Sequence, residues 1–165
     1  MKKFKRKKSK ECFVMISPLI CANNFIKRSL ETKTPLTQMK LQKLLYLLYA
    51  HYYAKHNQPL FPANFKKWPY GPVLPEVYWA FKHYGAREIN KFHREPDGSV
   101  WVVDGEKDRD FSECFDDVWN RYCMYTGIQL SGFTHKKKSA WSKAKDEGDF
   151  LELEDIKEDG VHFFE

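Results

Sequence analysis

The chain has 165 residues, 28 Lys/Arg against 22 Asp/Glu, 16% aromatic side chains and a formal net charge of +6 at pH 7. That length suits one domain with a real core, and the aromatic content argues against disorder. No run approaches the ~18 uncharged apolar residues of a membrane span, and the run from Cys12 to Ile20 is too short and too interrupted by Ser17 and Pro18 for a secretory signal, so a cytoplasmic protein is expected.

Charge is unevenly placed. Residues 1–10 carry seven Lys/Arg and no acid, whereas 146–165 carry nine acids and one lysine. A block of like charge rarely folds alone, so 1–10 is expected to be a disordered basic head able to touch nucleic acid weakly through phosphates. The body, 11–145, is expected to be the folded domain. The acidic segment 146–165 is expected to pack on it or trail from it. Four cysteines at 12, 21, 114 and 123 offer no CxxC and no Cys/His spacing of a zinc site, so reduced thiols packed as small hydrophobes are expected, with no metal and no cofactor.

In chain order, Phe13–Ile16 is a brief strand or a lead-in. Ser17-Pro18 then starts a helix, with serine as N-cap and proline at the first helical position. Its apolar face runs through Leu19, Ile20, Ala22, Asn23, Phe25, Ile26 and Leu30.

The next helix is the centre of the reading. Thr37 is its N-cap, with Leu36 and Leu41 placed as a hydrophobic staple. Leu41, Leu44, Leu45, Leu48, Tyr49, Tyr52 and Tyr53 recur at spacings of three and four, and Tyr46, Leu47 and Ala50 widen that face. A helix apolar nearly all round is buried among others, so 37–56 is predicted as the core element, stopped at His56-Asn57-Gln58-Pro59.

Residues 67–75 hold three prolines and one glycine, a stiff turn carrying Trp68 and Tyr70. A helix over Glu76–Tyr84 follows, with Val77, Tyr78, Ala80, Phe81 and Tyr84 inward and Gly85 as its stop. Asp97-Gly98 signals a turn, and Val100–Val103 a short strand or hairpin. Helical spacing returns over Asp110–Thr126, ended by Gly127. Leu130–His135 reads as a turn, Ser139–Ala144 as a short helix, and Leu151–Glu158 as a closing helix broken at Asp159-Gly160. The fold class is therefore mainly α: a compact helical domain around a central apolar helix at about 37–56, with a small β-hairpin or short strand near 98–104.

Motifs for catalysis are missing. There is no nucleophile elbow, HExxH, Walker loop or dinucleotide fingerprint. His51 and His56 are five apart, a poor match to a helical metal pair, and His135 reads as a residue hydrogen-bonded near a helix start rather than a general base. No enzyme is expected. A helix-turn-helix with a polar recognition helix is absent too, because the best helices are too apolar to lie in a groove.

Recognition of a protein fits better. Lys67, Trp68 and Tyr70 beside the constrained Gly71-Pro72 offer large, rigid surface at low entropic cost, although Trp68 and Tyr70 could instead lie against the central helix. Gln42, Lys43 and Tyr46 sit oddly in a core stripe and suit surface recognition or a buried polar network.

Three blocks then combine: Leu41-Gln42-Lys43-Leu44-Leu45-Tyr46; Trp68-x-Tyr70-Gly71-Pro72-Val73-x-Pro75-x-Val77-Tyr78; and Leu130-Ser131-x-x-Thr134-His135 with Trp141. In order and spacing they resemble the Panacea domain of SocA-like antitoxins over roughly residues 18–145. The resemblance implies a folded binding module that neutralises a cognate protein toxin, encoded by an adjacent gene, by direct contact, or that delivers it to a protease as an adaptor. The candidate partner-binding residues are Gln42, Lys43, Tyr46, Lys67, Trp68, Tyr70, Gly71, Pro72, Val73, Tyr78, Thr134, His135 and Trp141. A basic nucleic-acid-binding regulator acting through 1–10 is the alternative.

Overall fold

The computed structural model describes residues 2–4, 16–62 and 64–165. Its helices are α1 (Pro18–Thr32), α2 (Gln38–His56), α3 (Pro75–Phe81), α4 (Arg109–Tyr122), α5 (Gly127–Thr134), α6 (Ala140–Lys143) and α7 (Leu153–Phe164). The strands are three residues each: β1 (Lys2–Phe4), β2 (Lys66–Trp68), β3 (Gly71–Val73) and β4 (Trp101–Val103). The protein is mainly helical, as its apolar periodicity requires.

Helix α2 is the axis of the core. Thr37 caps it by accepting from the Lys40 amide, and every residue from Lys40 to Tyr52 is buried. No solvent-facing stripe is left over that span, so α4, α5 and α7 pack around it together with the hairpin β2–β3. The helix ends differently from the sequence expectation. Asn57 adopts the left-handed conformation at φ 51° and its amide returns to the Tyr53 carbonyl, so an asparagine C-cap stops α2 before Pro59 can act.

Helix α1 starts as read, with Ser17 accepting from the Ile20 amide and Pro18 in the first turn. Its Asn23 and Asn24 are not passive members of an apolar face. The Asn24 side chain donates to the Val103 carbonyl and accepts from the Val103 amide, while Asn23 holds the His93 backbone and the Trp101 carbonyl. Two adjacent amides thus stand in for a strand beside β4. On β4's other edge, β1 pairs parallel with it, Lys2 opposite Trp101 and Phe4 opposite Val103. The remainder of the expected basic head, and Phe13–Met15 of the expected lead-in strand, lie outside the described residues.

The helix expected to run to Thr126 stops at Tyr122, with the Cys123 amide bonded to the Trp119 carbonyl. Gly127 does not end that helix. It opens α5, where Leu130–His135 was read as a turn. Thr126 accepts from the Gln129 amide and the Gln129 side chain accepts from the Thr126 amide, a reciprocal capping box legible in Thr126-x-x-Gln129. Gly127 is required because α5 begins directly on α2: a Cβ there would lie 2.9 Å from the Lys40 amide nitrogen.

The largest correction concerns the C-terminal helix, which runs through Asp159-Gly160 to Phe164. That pair is a helix-crossing device. A Cβ on Gly160 would overlap the Ala50 carbonyl and approach the Ala54 methyl at 2.9 Å, so only glycine lets α7 lie this close along α2. Beside it Asp159 is buried, accepts from the Tyr46 hydroxyl at 2.5 Å and from the Ala140 amide, and so ties α2, α6 and α7 at one point.

In an exposed helix, alanine in place of glycine would add about 1 kcal/mol of stability. For Gly160→Ala the sign is expected to reverse, with a loss of about 3 kcal/mol from overpacking. Urea denaturation measures it; an alanine variant as stable as the parent would refute the contact.

Candidate functional site

The three sequence blocks converge around the hairpin β2–β3. Its strands pair antiparallel, Lys66 opposite Val73 and Trp68 opposite Gly71, leaving Pro69-Tyr70 as a two-residue turn. An isolated pair of three-residue strands has too little cohesion to persist in water. Other elements hold this one on every side. On the outer edge, Gly148 and Leu151 donate backbone amides to the Lys67 and Phe65 carbonyls, and the Lys67 amide donates to Asp149. On the inner side the polar residues of α2 take over.

Gln42 is buried and pairs with both backbone groups of Leu74: its Nε2 donates to the carbonyl at 3.0 Å and its Oε1 accepts from the amide at 2.9 Å. Lys43, also buried, donates from Nζ to the Pro72 carbonyl at 3.0 Å. Burial alone lowers its ammonium from 10.5 to about 7. Gly71, at φ 112°, passes over this lysine; a Cβ there would meet Thr134 Oγ1 at 2.6 Å and Lys43 Cε at 2.9 Å. Tyr46 is fully buried on Asp159, and burial is the first cause that pushes its phenol well up.

The third block clamps the turn. Ser131 donates to the Tyr70 carbonyl at 2.6 Å. The His135 ring lies between the Ser131 and Pro69 carbonyls, with Nδ1 at 2.5 Å and Nε2 at 2.9 Å. A neutral imidazole donates from one nitrogen at a time. Trp141 Nε1 donates to the Trp68 carbonyl at 2.7 Å, and the Lys67 ammonium stands 4.6 Å over the Trp141 ring while donating to the Ala144 carbonyl.

The thirteen sequence-selected residues therefore come together, but in two layers. Gln42, Lys43, Tyr46, Gly71, Pro72, Val73 and Thr134 are buried; between surface recognition and a buried polar network, Gln42, Lys43 and Tyr46 form the network. Lys67, Trp68, Tyr78, His135 and Trp141 are half-buried, and Tyr70, at the turn, is 66% exposed. Sequence reasoning passed over Trp79, 63% exposed, whose ring meets Tyr78 edge-on at 5.4 Å beneath the Lys82 ammonium. Its neighbours at Val77 and Phe81 are buried, and helical spacing alone would have set it opposite them. Ser131 and Asp159 were also missed; a short polar side chain shows its role only through the backbone it reaches.

A cleft of about 310 Å³ opens between α2, the hairpin and α3, walled by Trp68, Tyr70 and Tyr78. A larger one of about 570 Å³ adjoins it, sharing Met39 and Gly85, and is lined by the starts of α2 and α5 and by Met124 and Ile128. Among the described residues, no three His, Cys, Asp or Glu side chains gather as a metal site. Among the described residues, the His135 ring meets the Ser131 and Pro69 carbonyls, the Thr134 hydroxyl and the Trp141 ring, and no cysteine or carboxylate. The thiols of Cys21 and Cys114 are buried and pushed up by that burial, Cys114 to about 12 and Cys21 well above its ordinary value. No helix among the described residues is long and apolar enough to cross a membrane.

A family model described as the SocA-like antitoxin, Panacea domain, matches residues 41–142, the span that holds all three blocks. Antitoxin SocA of Caulobacter vibrioides (strain NA1000 / CB15N) is 27% identical over 123 residues, which cover 73% of this chain and 65% of that relative's length. No solved structure matches.

Two outcomes follow from the buried layer. Gln42→Leu strands both polar groups of Leu74, with an expected cost of about 2–3 kcal/mol in urea denaturation. Lys43→Met isolates the lysine's pH dependence. The unfolded chain holds the Lys43 proton to about pH 10.5 and the folded chain releases it near 7. Raising pH through that window therefore favours the folded state. The parent is expected to be at its greatest disadvantage against Lys43→Met at pH 7 and below, and to recover at up to ~1.4 kcal/mol per pH unit towards pH 10. A difference flat in pH would refute the buried ammonium.

Proposed function

The chain belongs to the family of SocA-like antitoxins built on a Panacea domain, and we propose that it is an antitoxin that neutralises a cognate protein toxin by direct binding. The relative's name, antitoxin SocA, supports this reading, as does the match of the family model over most of the chain. The observation that carries it is the hairpin turn. Tyr70 stands exposed on a backbone constrained by Pro69 and Pro72, bonded at its own carbonyl by Ser131 and flanked by His135 at Pro69. A large aromatic presented on a fixed turn loses little entropy on binding, the property of an interface hot spot. The buried polar layer fixes that turn, and the half-exposed layer of Lys67, Trp68, Tyr78, His135 and Trp141 surrounds it as the recognition surface. The toxin is the product of a neighbouring gene, and the work done on it is binding without turnover.

The test is growth rescue with the adjacent gene. Inducing the neighbour alone is expected to arrest growth, and co-expression with this chain to restore it, with a complex that co-purifies. A harmless neighbour, or arrest that co-expression leaves in place, would overturn the pairing.

Tyr70→Ala is expected to weaken that complex by about thirtyfold, on the order of 2 kcal/mol, with the melting temperature unchanged because the side chain is mostly in water. Calorimetric titration reads the affinity, and unchanged binding would remove the turn from the interface.

A further inference from the structure

The two adjoining clefts form one continuous face with a distinctive chemistry. Among the described residues, no Asp or Glu lines either cleft. The ionisable side chains that do include Lys40, Lys43 and Lys82. Two helices begin here as well. Gly127, the first residue of α5, sits against the Lys40 amide in the first turn of α2, so two helix N-termini meet at the wall of the larger cleft. Each such end carries a partial positive charge and backbone N–H groups left over from the helical ladder. Thr37 and Thr126 each satisfy one of these donors, at Lys40 and Gln129.

Apolar groups frame that positive floor. Ile128 is 74% and Met124 85% exposed beside the larger cleft, with Met39 between the clefts and Tyr70 at the smaller one. Lys40 Nζ donates to the Pro35 and Cys123 carbonyls and Lys43 Nζ to the Pro72 carbonyl, so both ammonium groups lie beneath the face and Lys82 is its exposed cation.

We infer that this face is the seat of an acidic amphipathic segment of the toxin, its apolar side chains lying on Met39, Met124 and Ile128 and its carboxylates turned to the two helix N-termini and Lys82. The identity of the partner rests on the antitoxin reading above; the chemistry of the face does not. Met124 and Ile128 would supply the apolar contact, while the sign of the field would select against basic segments.

Ile128 is the position to test, because it is exposed and its replacement leaves the core intact. An aspartate at the second residue of α5 suits the helix N-terminus and a lysine does not, so stability favours Ile128→Asp. Binding is expected to run in the opposite order. Two synthetic peptides of matched length and apolar pattern, one Leu/Glu and one Leu/Lys, are titrated into the full 15N-labelled chain. The Leu/Glu peptide is expected to shift the Gly127 and Lys40 amides, about tenfold less tightly for Ile128→Asp than for Ile128→Lys, with the gap shrinking in high salt. The Leu/Lys peptide is expected to leave those amides unmoved. Equal binding of both peptides, no binding of the acidic one, or equal behaviour of the two variants overturns the inference. So does self-association of the chain relieved by Ile128→Asp, which would make a second copy the occupant.

The same variants are then tested against the adjacent gene's product. If it binds the parent chain and ranks Lys above Asp, the face is the toxin's seat. If it binds and ignores both substitutions, the toxin sits elsewhere and the inference fails. If it does not bind the parent at all, the antitoxin pairing fails, and the peptide titration still decides the face.

Discussion

The structure depends on one constraint: Gln42, Lys43 and Tyr46, polar side chains in the most deeply buried part of α2, are partnered by protein groups away from water. An unpaired buried polar group costs about 1–3 kcal/mol, more when charged. Gln42, Lys43 and Tyr46 therefore dictate what can lie against α2. Gln42 reads the two backbone groups of Leu74, Lys43 the carbonyl of Pro72, and Tyr46 the carboxylate of Asp159. The first two fix the hairpin, the third fixes the C-terminal helix. Apolar packing would hold α2 in a core of many arrangements; these bonds select one.

From that selection the exposed surface follows. β3 is anchored from beneath, and the turn carbonyls of Trp68, Pro69 and Tyr70 are bonded by Trp141, His135 and Ser131, so the hairpin is held on both faces. Tyr70 and the aromatic walls stay open to solvent. Buried bonds beneath the hairpin thus hold its exposed turn in one conformation. The close approach of α5 to α2, possible because residue 127 is glycine, places two helix N-termini next to that surface. Burial and charge are coupled here by backbone geometry.

Where sequence and structure parted, the cause was a tertiary contact that changed the meaning of a local signal. Asp159-Gly160 carries a turn signature, but the glycine makes room for the Ala50 carbonyl and the aspartate receives the Tyr46 hydroxyl, so the helix continues through both. Gly127 carries a stop signature, but it starts α5 because Thr126 and Gln129 cap each other across it. By spacing Asn23 falls on the apolar face of α1, yet with Asn24 it serves as the ladder for a strand about eighty residues away in sequence (the separations are 78 and 79). Propensity describes what a residue prefers alone; in each of these places a partner distant in the chain supplied the larger energy.

The amino-acid sequence by itself determined the helical class, the capped starts of α1 and α2, the burial of α2 and the family to which the three blocks belong. These are properties of spacing and of residue type, and they act within one or two helical turns. Tertiary structure alone decided which motif residues reach solvent and which hold the scaffold. Gln42 and Tyr70 stand in the same family pattern, yet one is sealed beneath Leu74 and the other projects into water. That distinction depends on which elements cover a side chain, and coverage is set by long-range hydrogen bonds and by the two glycines that let helices meet.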